Sequence, residues 1–409
     1  MIRNVLLFPL FLLSGYVISQ QTLEQTLDSI MHNSIDSMAF PGAQLYVYHK
    51  DSVIHHKSYG YHTYDKQRRV DNHHVYDLAS VTKVSSGLPL LMKLSDKDMF
   101  DIDLPASTYI SDWKKSNKSA ITFREILAHQ SGLTPYIVFW KETQKKNGSY
   151  KRKTFKENKS RRFPVVITDS LFLFKKYNRK MKEEIKKSGL EDPMYRYSGL
   201  AFLRMPDVIE SIIQADFEQQ LYVNIYEPLG IDRLCYKPLN HFPKQDIVPT
   251  EIDTIFRKIL VHGNVHDEAA AMLNGISGNA GLFGNAESVG KLFQLYLQYG
   301  NWEGKQIILE ETLREYTSYQ YPNNRRGLGF DKPLLEYNEA NSYVAKSASQ
   351  SSFGHSGFTG TFVWADPEYD LVFVLLTNRV YPYRSQRKLY SMNIRPQLHQ
   401  AVYDWLIRS

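Results

Sequence analysis

Ser80-Val81-Thr82-Lys83 places a hydroxyl three residues ahead of an amine. A serine hydroxyl is a poor nucleophile until something removes its proton. Residues three apart on a helix share a face, about one turn from each other. Lys83 can therefore activate Ser80, either as an ammonium beside the oxygen or, if neutral, as the base. The surrounding "DLASVTKVSSGL" reads as a helix entrance, with Asp77 or Ser80 as the cap and Val84 and Leu88 continuing an apolar stripe. S-x-x-K alone is a weak signal, because a solvated helix face also produces it. It gains force when a proton-shuttling tyrosine or serine comes next, and then a basic residue before a glycine at a strand edge. Both occur, in that order. "MYRYSGLAFLRM" contains Tyr197-Ser198-Gly199, and "FGHSGFTGTFVW" contains His355-Ser356-Gly357 just ahead of a predicted strand.

These residues need elements to carry them. Leu23, Leu27, Ile30 and Met31 recur at helical spacing over 23–38. "GAQLYVYHKDSVIHHKSYGYH" predicts two strands about a tight turn near Lys50-Asp51, and "GTFVWADPEYDLVFVLLTNRV" a second hairpin turning at Asp366-Pro367. A last helix is predicted over 395–407. Strands at both ends with helices between predict an α+β fold, with one antiparallel sheet built from the chain termini and flanked by helices. A mostly helical subdomain, roughly 85–290, is inserted between them.

The first residues, "MIRNVLLFPLFLLSGYVISQQ", join Arg3 to an apolar run and then short residues at Val17 and Ser19. That is the layout of a secretory signal over 1–19, leaving a single domain over 20–409. An exported chain is the consequence, with the periplasm as the expected compartment and no integral span after cleavage. The single cysteine, Cys235, allows no internal disulfide, so the fold must stand on packing. The net charge of +7 is uneven: residues 145–162 hold nine Lys/Arg against one Glu. This predicts a solvated basic surface loop over 141–163. It lacks the aromatic interleaving of a single-strand binder, so nucleic acid is not an expected partner.

At these three motifs the sequence resembles the serine β-lactamase and penicillin-binding-protein superfamily, and more closely the class C β-lactamase-related hydrolases and esterases. "ITFREILAHQSGL", "PLGIDRL", "VHGNVHDEAAA" and "GNAGLFGNAESVGKL" are similar to further landmarks of that family. "GHSGFTGTFVWADPEYDLVFVLLTNRVYP" resembles a subgroup from the Bacteroides group of bacteria. The likeness spans roughly residues 22 to 408 and implies a β-lactamase-like fold. It implies Ser80 as the acylated nucleophile, Lys83 as its activating partner and Tyr197 as general base. Neighbouring cations, Lys83 and His355 among them, are then needed to favour a phenolate. His355 stands where many relatives have lysine, keeping a donor but not a permanent charge. The oxyanion hole implied is the backbone N–H of Ser80 and of Phe358, the latter directly after His355-Ser356-Gly357.

Two positions depart from the resemblance. Gly199 stands where an asparagine or aspartate is usual, which puts efficient β-lactam hydrolysis in question. Asn279 stands where relatives often have histidine. His262 and His266 are spaced for a metal, but Gly263 and Asn264 between them disfavour a helix, so neither a metal nor an organic cofactor is expected. The absence of a G-x-S-x-G elbow at Ser80 excludes an α/β-hydrolase reading. The expected activity is a serine hydrolase acting through an acyl-enzyme. Its substrate would be a small molecule or cell-wall peptide: a β-lactam, a D-alanyl peptide or ester, or a small carboxylic ester. A basic rim would favour carboxylates. The alternative is a catalytically weak peptidoglycan- or ligand-binding module on the same fold. The oligomeric state is not encoded in any sequence pattern.

Overall fold

The computed structural model describes residues 22–408. The sequence-predicted signal over 1–19 lies outside the described residues. Thr22 caps the first helix, α1 (Leu23–Asp36): its hydroxyl accepts from the Gln25 amide while the Gln25 side chain accepts from the Thr22 amide. The chain then forms β1 (Gly42–His49) and β2 (Ser52–Gly60). Lys50 and Asp51 between them have φ of 43° and 60°. Positive φ at both positions is what a tight turn between twisted strands requires.

The far end of the chain completes the sheet. β3 (Phe353–Ser356), β4 (Phe362–Asp366) and β5 (Leu371–Thr377) give the order β3-β4-β5-β1-β2, antiparallel throughout. β1 pairs with β5, so residues more than 300 positions apart in sequence form the centre of the sheet. The helix α2 (Ala286–Leu297) covers one face, and α1 with α3 (Ile394–Arg408) covers the other.

This layering explains the β5 sequence, "LVFVLLT". Leu371, Phe373 and Leu375 enter the core under α1 and α3, while Val372, Val374 and Leu376 enter the larger core under α2. A strand buried on both faces reads as a continuous apolar run instead of an alternating one. α2 lies close to the sheet because Gly290 lacks a Cβ, which would stand 2.5 Å from the Tyr46 ring.

The middle of the chain is less helical than its sequence predicts. Its helices are short, and it holds two small sheets. One joins Tyr76–Asp77, Leu282–Gly284 and Leu234–Tyr236. The other joins Phe155–Lys156, Leu171–Leu173 and Val165–Thr168. Part of the basic segment expected as a loop is thus a strand. Phe155 and Phe163 are buried within it and hold it down, while its lysines and arginines face solvent. Among the described residues, no helix is long and apolar enough to cross a membrane.

Leu375 is fully buried at the centre of the sheet. Leu375→Ala should cost about 2–5 kcal/mol, read as a lower denaturant midpoint with an unchanged slope.

Candidate active site

Ser80 lies in a short 3-10 turn, Ala79–Val81, that leads into a helical turn, Thr82–Ser85. Neither Asp77 nor Ser80 is the expected cap, since Leu78 and Val81 precede these two turns, but Asp77 Oδ1 accepts from the Ala79 amide at 2.8 Å. Ala79 has φ of 46°, in the left-handed region that an L-residue enters at a cost. The Asp77 bond holds that conformation and so fixes how Ser80 is presented. Oδ2 of the same carboxyl accepts from the His266 amide at 2.6 Å, and the Asp77 carbonyl accepts from the Thr359 hydroxyl at 2.7 Å. Burial pushes the Asp77 carboxyl above its usual range, against the pull of these amides.

One turn on, Lys83 is 2% exposed and its Nζ lies 3.1 Å from Ser80 Oγ. The ammonium also donates to the Asn279 carbonyl at 3.0 Å. Its Nζ lies 5.2 Å from the centre of the Tyr197 ring and 5.4 Å from that of Phe202. The Tyr197 ring is in turn 6.1 Å from His355 and 4.4 Å from His129. The Ser80–Lys83 pair, Tyr197 and His355, far apart in sequence, are therefore gathered in one place. Ser198 is not a site group: it is buried, and its hydroxyl donates to the Thr134 carbonyl.

Ser356 ends β3, and Gly357 packs directly onto the Ser80 turn. A Cβ at Gly357 would stand 2.5 Å from the Leu78 carbonyl and 2.0 Å from Thr361 Oγ1. Arg395, from α3, donates to the Gly357 and Thr361 carbonyls and braces this turn from behind. Phe358 stacks on His266 and lines the same cavity as Ser80.

His355 differs from its expected character. Nδ1 lies 2.8 Å from the Ser356 carbonyl, which can only accept, so Nδ1 carries the proton. Burial, reinforced by Arg326 and Lys83, holds this imidazole well below its usual range. His355 is then neutral, with a bare, buried acceptor at Nε2. It adds no cation for Tyr197. His129 is the complement. Its Nδ1 accepts from the Ser198 amide at 3.3 Å, which leaves its N–H at Nε2. Burial and the same two cations keep it neutral as well.

The second cation is one that sequence reasoning missed. Arg326 is 1% exposed, and its Cζ stands 5.8 Å from the Tyr197 ring centre. Arg326 and Arg325 share a single carboxylate, Asp331, at 3.1 and 3.3 Å. Two positive charges against one negative leave a net positive cluster beside Tyr197. "NNRRGLGFD" has no motif to announce this; the doubled arginine is its only trace.

A cavity of about 500 Å³ opens over Ser80. Ile137, Phe139, Trp140, Leu200 and Leu203 form an apolar wall. Its ionisable lining is Tyr136, His266, Asp267, Glu268 and Arg384; the basic segment 145–162 contributes nothing to it. Arg384 is committed to Glu251 and to Glu268, the latter at 2.8 Å. The rim is therefore not the basic, carboxylate-favouring one expected. Gly199 also borders the cavity, and a Cβ there would meet only Asn279, at 3.8 Å. Asn279 itself serves through its carbonyl, on Lys83.

The spaced pair His262 and His266 does not form a metal site, since His262 bonds the Ile247 carbonyl and His266 faces Glu251. Among the described residues, His73, His74 and Asp246 have suitable donors close together. Arg68 fills that position, with Nη2 3.1 Å from Asp246 Oδ1 and 3.2 Å from His74 Nε2.

Glu251 lies behind the cavity lining, against His266 and Arg384, and is only 2% exposed. Burial alone would raise its carboxyl, but His266 and Arg384 bring it down to about 2 from an ordinary 4.5. A depressed acid stabilises the fold above its unfolded value and loses that contribution as pH falls towards its folded value. Glu251→Gln should therefore lose roughly 3 kcal/mol near neutral pH. The gap in melting temperature between parent and variant should close from about pH 4.5 downwards.

A family model described as Beta-lactamase matches residues 24–392. A curated protein of Salmonella enteritidis PT4, named provisionally as a D-alanyl-D-alanine carboxypeptidase, is 26% identical, covering 93% of this chain and 88% of that protein. Two solved structures share the fold. A penicillin-binding protein homologue from Caulobacter crescentus has a TM-score of 0.63 at 15% identity, covering 94% of this chain and 98% of its own. EstCE1, described as a hydrolase with promiscuous acyltransferase activity, has a TM-score of 0.65 at 16% identity, covering 92% and 98%. The α+β expectation and the resemblance read from three short motifs agree with these matches, and the chain belongs to the beta-lactamase family of serine hydrolases.

Proposed function

We propose that the chain is an exported hydrolase that forms an acyl-enzyme on Ser80. The observation that carries this reading is a buried lysine, Lys83, whose Nζ lies 3.1 Å from Ser80 Oγ at the floor of a cavity. In the proposed cycle Tyr197, as phenolate, takes the Ser80 proton while Oγ attacks the acyl carbon. The Ser80 and Phe358 amides receive the oxyanion; donors of this kind contribute about a hundredfold to a thousandfold each. Tyr197 then returns the proton to the leaving group; in the second half it takes a proton from a water whose oxygen attacks the acyl carbon, and passes it to Ser80 Oγ as the acyl–Oγ bond breaks. Lys83 Nζ and Arg326 Cζ lie 5.2 and 5.8 Å from the centre of the Tyr197 ring, and the His355 ring lies 6.1 Å from it.

The substrate is an ester or amide carbonyl small enough for the cavity, with its apolar part against the Phe139–Trp140 wall. A D-alanyl peptide or ester, suggested by the Salmonella relative, a β-lactam and a short carboxylic ester all satisfy this. The proposed export rests on the layout of residues 1–19 in the sequence.

Exposure to a fluorescent penicillin and to a p-nitrophenyl ester, followed by intact mass, separates these substrates. A lasting adduct marks a carboxypeptidase type of site, a transient one a lactamase, and ester turnover without adduct an esterase. Ser80→Ala should lower any of these activities by at least about a thousandfold; unchanged turnover would sink the proposal. A chain that binds ligand equally well with Ser80→Ala and turns over nothing is the binding module instead.

Arg326→Met should lower kcat/KM about tenfold near pH 7, and the rising limb of the pH–rate profile should move to higher pH. Arg326→Lys should restore most of both, which a purely structural role would not. Gly199→Asn should fold normally, because the contacts at its Cβ are ordinary ones. It should raise the rate of penicillin acylation, measured by the same mass assay.

A further inference from the structure

The basic segment has no task in the cavity, yet it is ordered. All nine Lys/Arg of residues 145–162 are exposed, and among the described residues none of them forms an ion pair. The charge extends further along the chain: residues 145–187 carry sixteen Lys/Arg against four Asp/Glu, which leaves 34 against 39 for the rest of the chain. The positive charge is therefore concentrated in one stretch of the chain. Arg162 and Phe174 link the two basic stretches, with the Arg162 carbonyl accepting from the Lys175 amide at 3.0 Å.

Against this basic sheet packs a loop, 252–260, that presents aliphatic side chains to water. Ile252, Ile255, Ile259 and Leu260 are 39%, 44%, 38% and 39% exposed. The loop is not slack. Asp253 and Arg257 are fully buried beneath it, and the Asp253 carboxylate accepts from the Ile255, Phe256 and Arg257 amides. Three bonds fasten it to the basic segment: Gln144 Nε2 to the Ile255 carbonyl, Tyr150 Oη to the Phe256 carbonyl, and Lys258 Nζ to the Gly148 carbonyl. Its Ile255 also lines the cavity over Ser80, together with Tyr136, which is 72% exposed.

We propose that the basic segment 145–162 and the aliphatic loop 252–260 form one docking surface for an anionic phospholipid membrane, placing the cavity mouth at the lipid–water interface. Charge complementarity selects an anionic partner. The rigidly held isoleucines select a lipid surface over a soluble polyanion, since only a lipid surface offers them an apolar phase. Resting on the acyl-enzyme reading, this gives an acyl substrate with an apolar tail a direct route from membrane to Ser80.

The test is sedimentation with vesicles of phosphatidylcholine alone and of phosphatidylcholine with phosphatidylglycerol at about 7:3. The protein is the chain over 20–409 that the proposed signal cleavage would leave. Using Ser80→Ala throughout separates docking from catalysis, so a failure of either reading shows by itself. Partition should be at least about tenfold stronger on the anionic vesicles at about 0.1 M salt and should fall steeply at about 0.5 M, as screening shortens the reach of the charges. Lys151→Glu/Arg152→Glu/Lys153→Glu should lose that preference. Ile255→Ser/Ile259→Ser, which leaves the charge as it is, should weaken vesicle binding severalfold while leaving retention on heparin unchanged. Absence of binding to anionic vesicles overturns the proposal. So does a binding that the isoleucine variant leaves intact, which would mark a generic polyanion surface such as one for an acidic polysaccharide.

Discussion

The site hangs on the buried carboxyl of Asp77. Its two oxygens and its carbonyl bind three separate stretches of chain: the Ser80 turn, the segment around His266, and the loop after Gly357. Among the described residues no arginine or lysine is paired with it, so backbone amides answer its charge, and burial pushes its protonation upward. Such an arrangement holds only while its partners are fixed. In return it keeps Ala79 in a conformation that costs about 1–3 kcal/mol for a non-glycine residue. The placement of Ser80 is a direct result of that constraint.

Around this pivot the charges are sorted. On the side of Tyr197 stand Lys83 and the Arg325–Arg326–Asp331 cluster, net positive, with two imidazoles kept neutral by burial and by that same field. On the side of the cavity stand Glu251, Asp267 and Glu268 about Arg384. Uncompensated buried charge is expensive, and its concentration around one phenol is a mark of a functional site. A positive field there opposes protonation of the histidines.

The two cores give the rest its rigidity. The five-stranded sheet is closed by pairing β1 with β5, and α3 reaches through Arg395 to the turn that carries Phe358. Each end of the chain therefore supports the surroundings of Ser80, although neither contributes Ser80 itself. The basic sheet and the 252–260 loop lie towards the surface, where their charged and aliphatic side chains meet solvent.

Much was legible in the chain alone. Ser80 and Lys83 are one helical turn apart, so their contact is dictated by local geometry. Both hairpins and both terminal helices announce themselves by periodicity and turn residues, because short-range sterics decide them. Tyr197 and His355 stand out by motif order, which a linear reading can trace, and the fold brings both near Lys83. Only the tertiary structure decided the rest. That His355 is neutral depends on burial and on Arg326, which reaches it from a segment with no recognisable pattern. That Arg384 does not attract carboxylates depends on Glu251 and Glu268, more than a hundred positions away. That part of the basic segment is a strand depends on Phe155 and Phe163 finding a core. Residue type sets what a group can do; which charge it carries, and which face it shows, is set by neighbours that the order of the chain does not reveal.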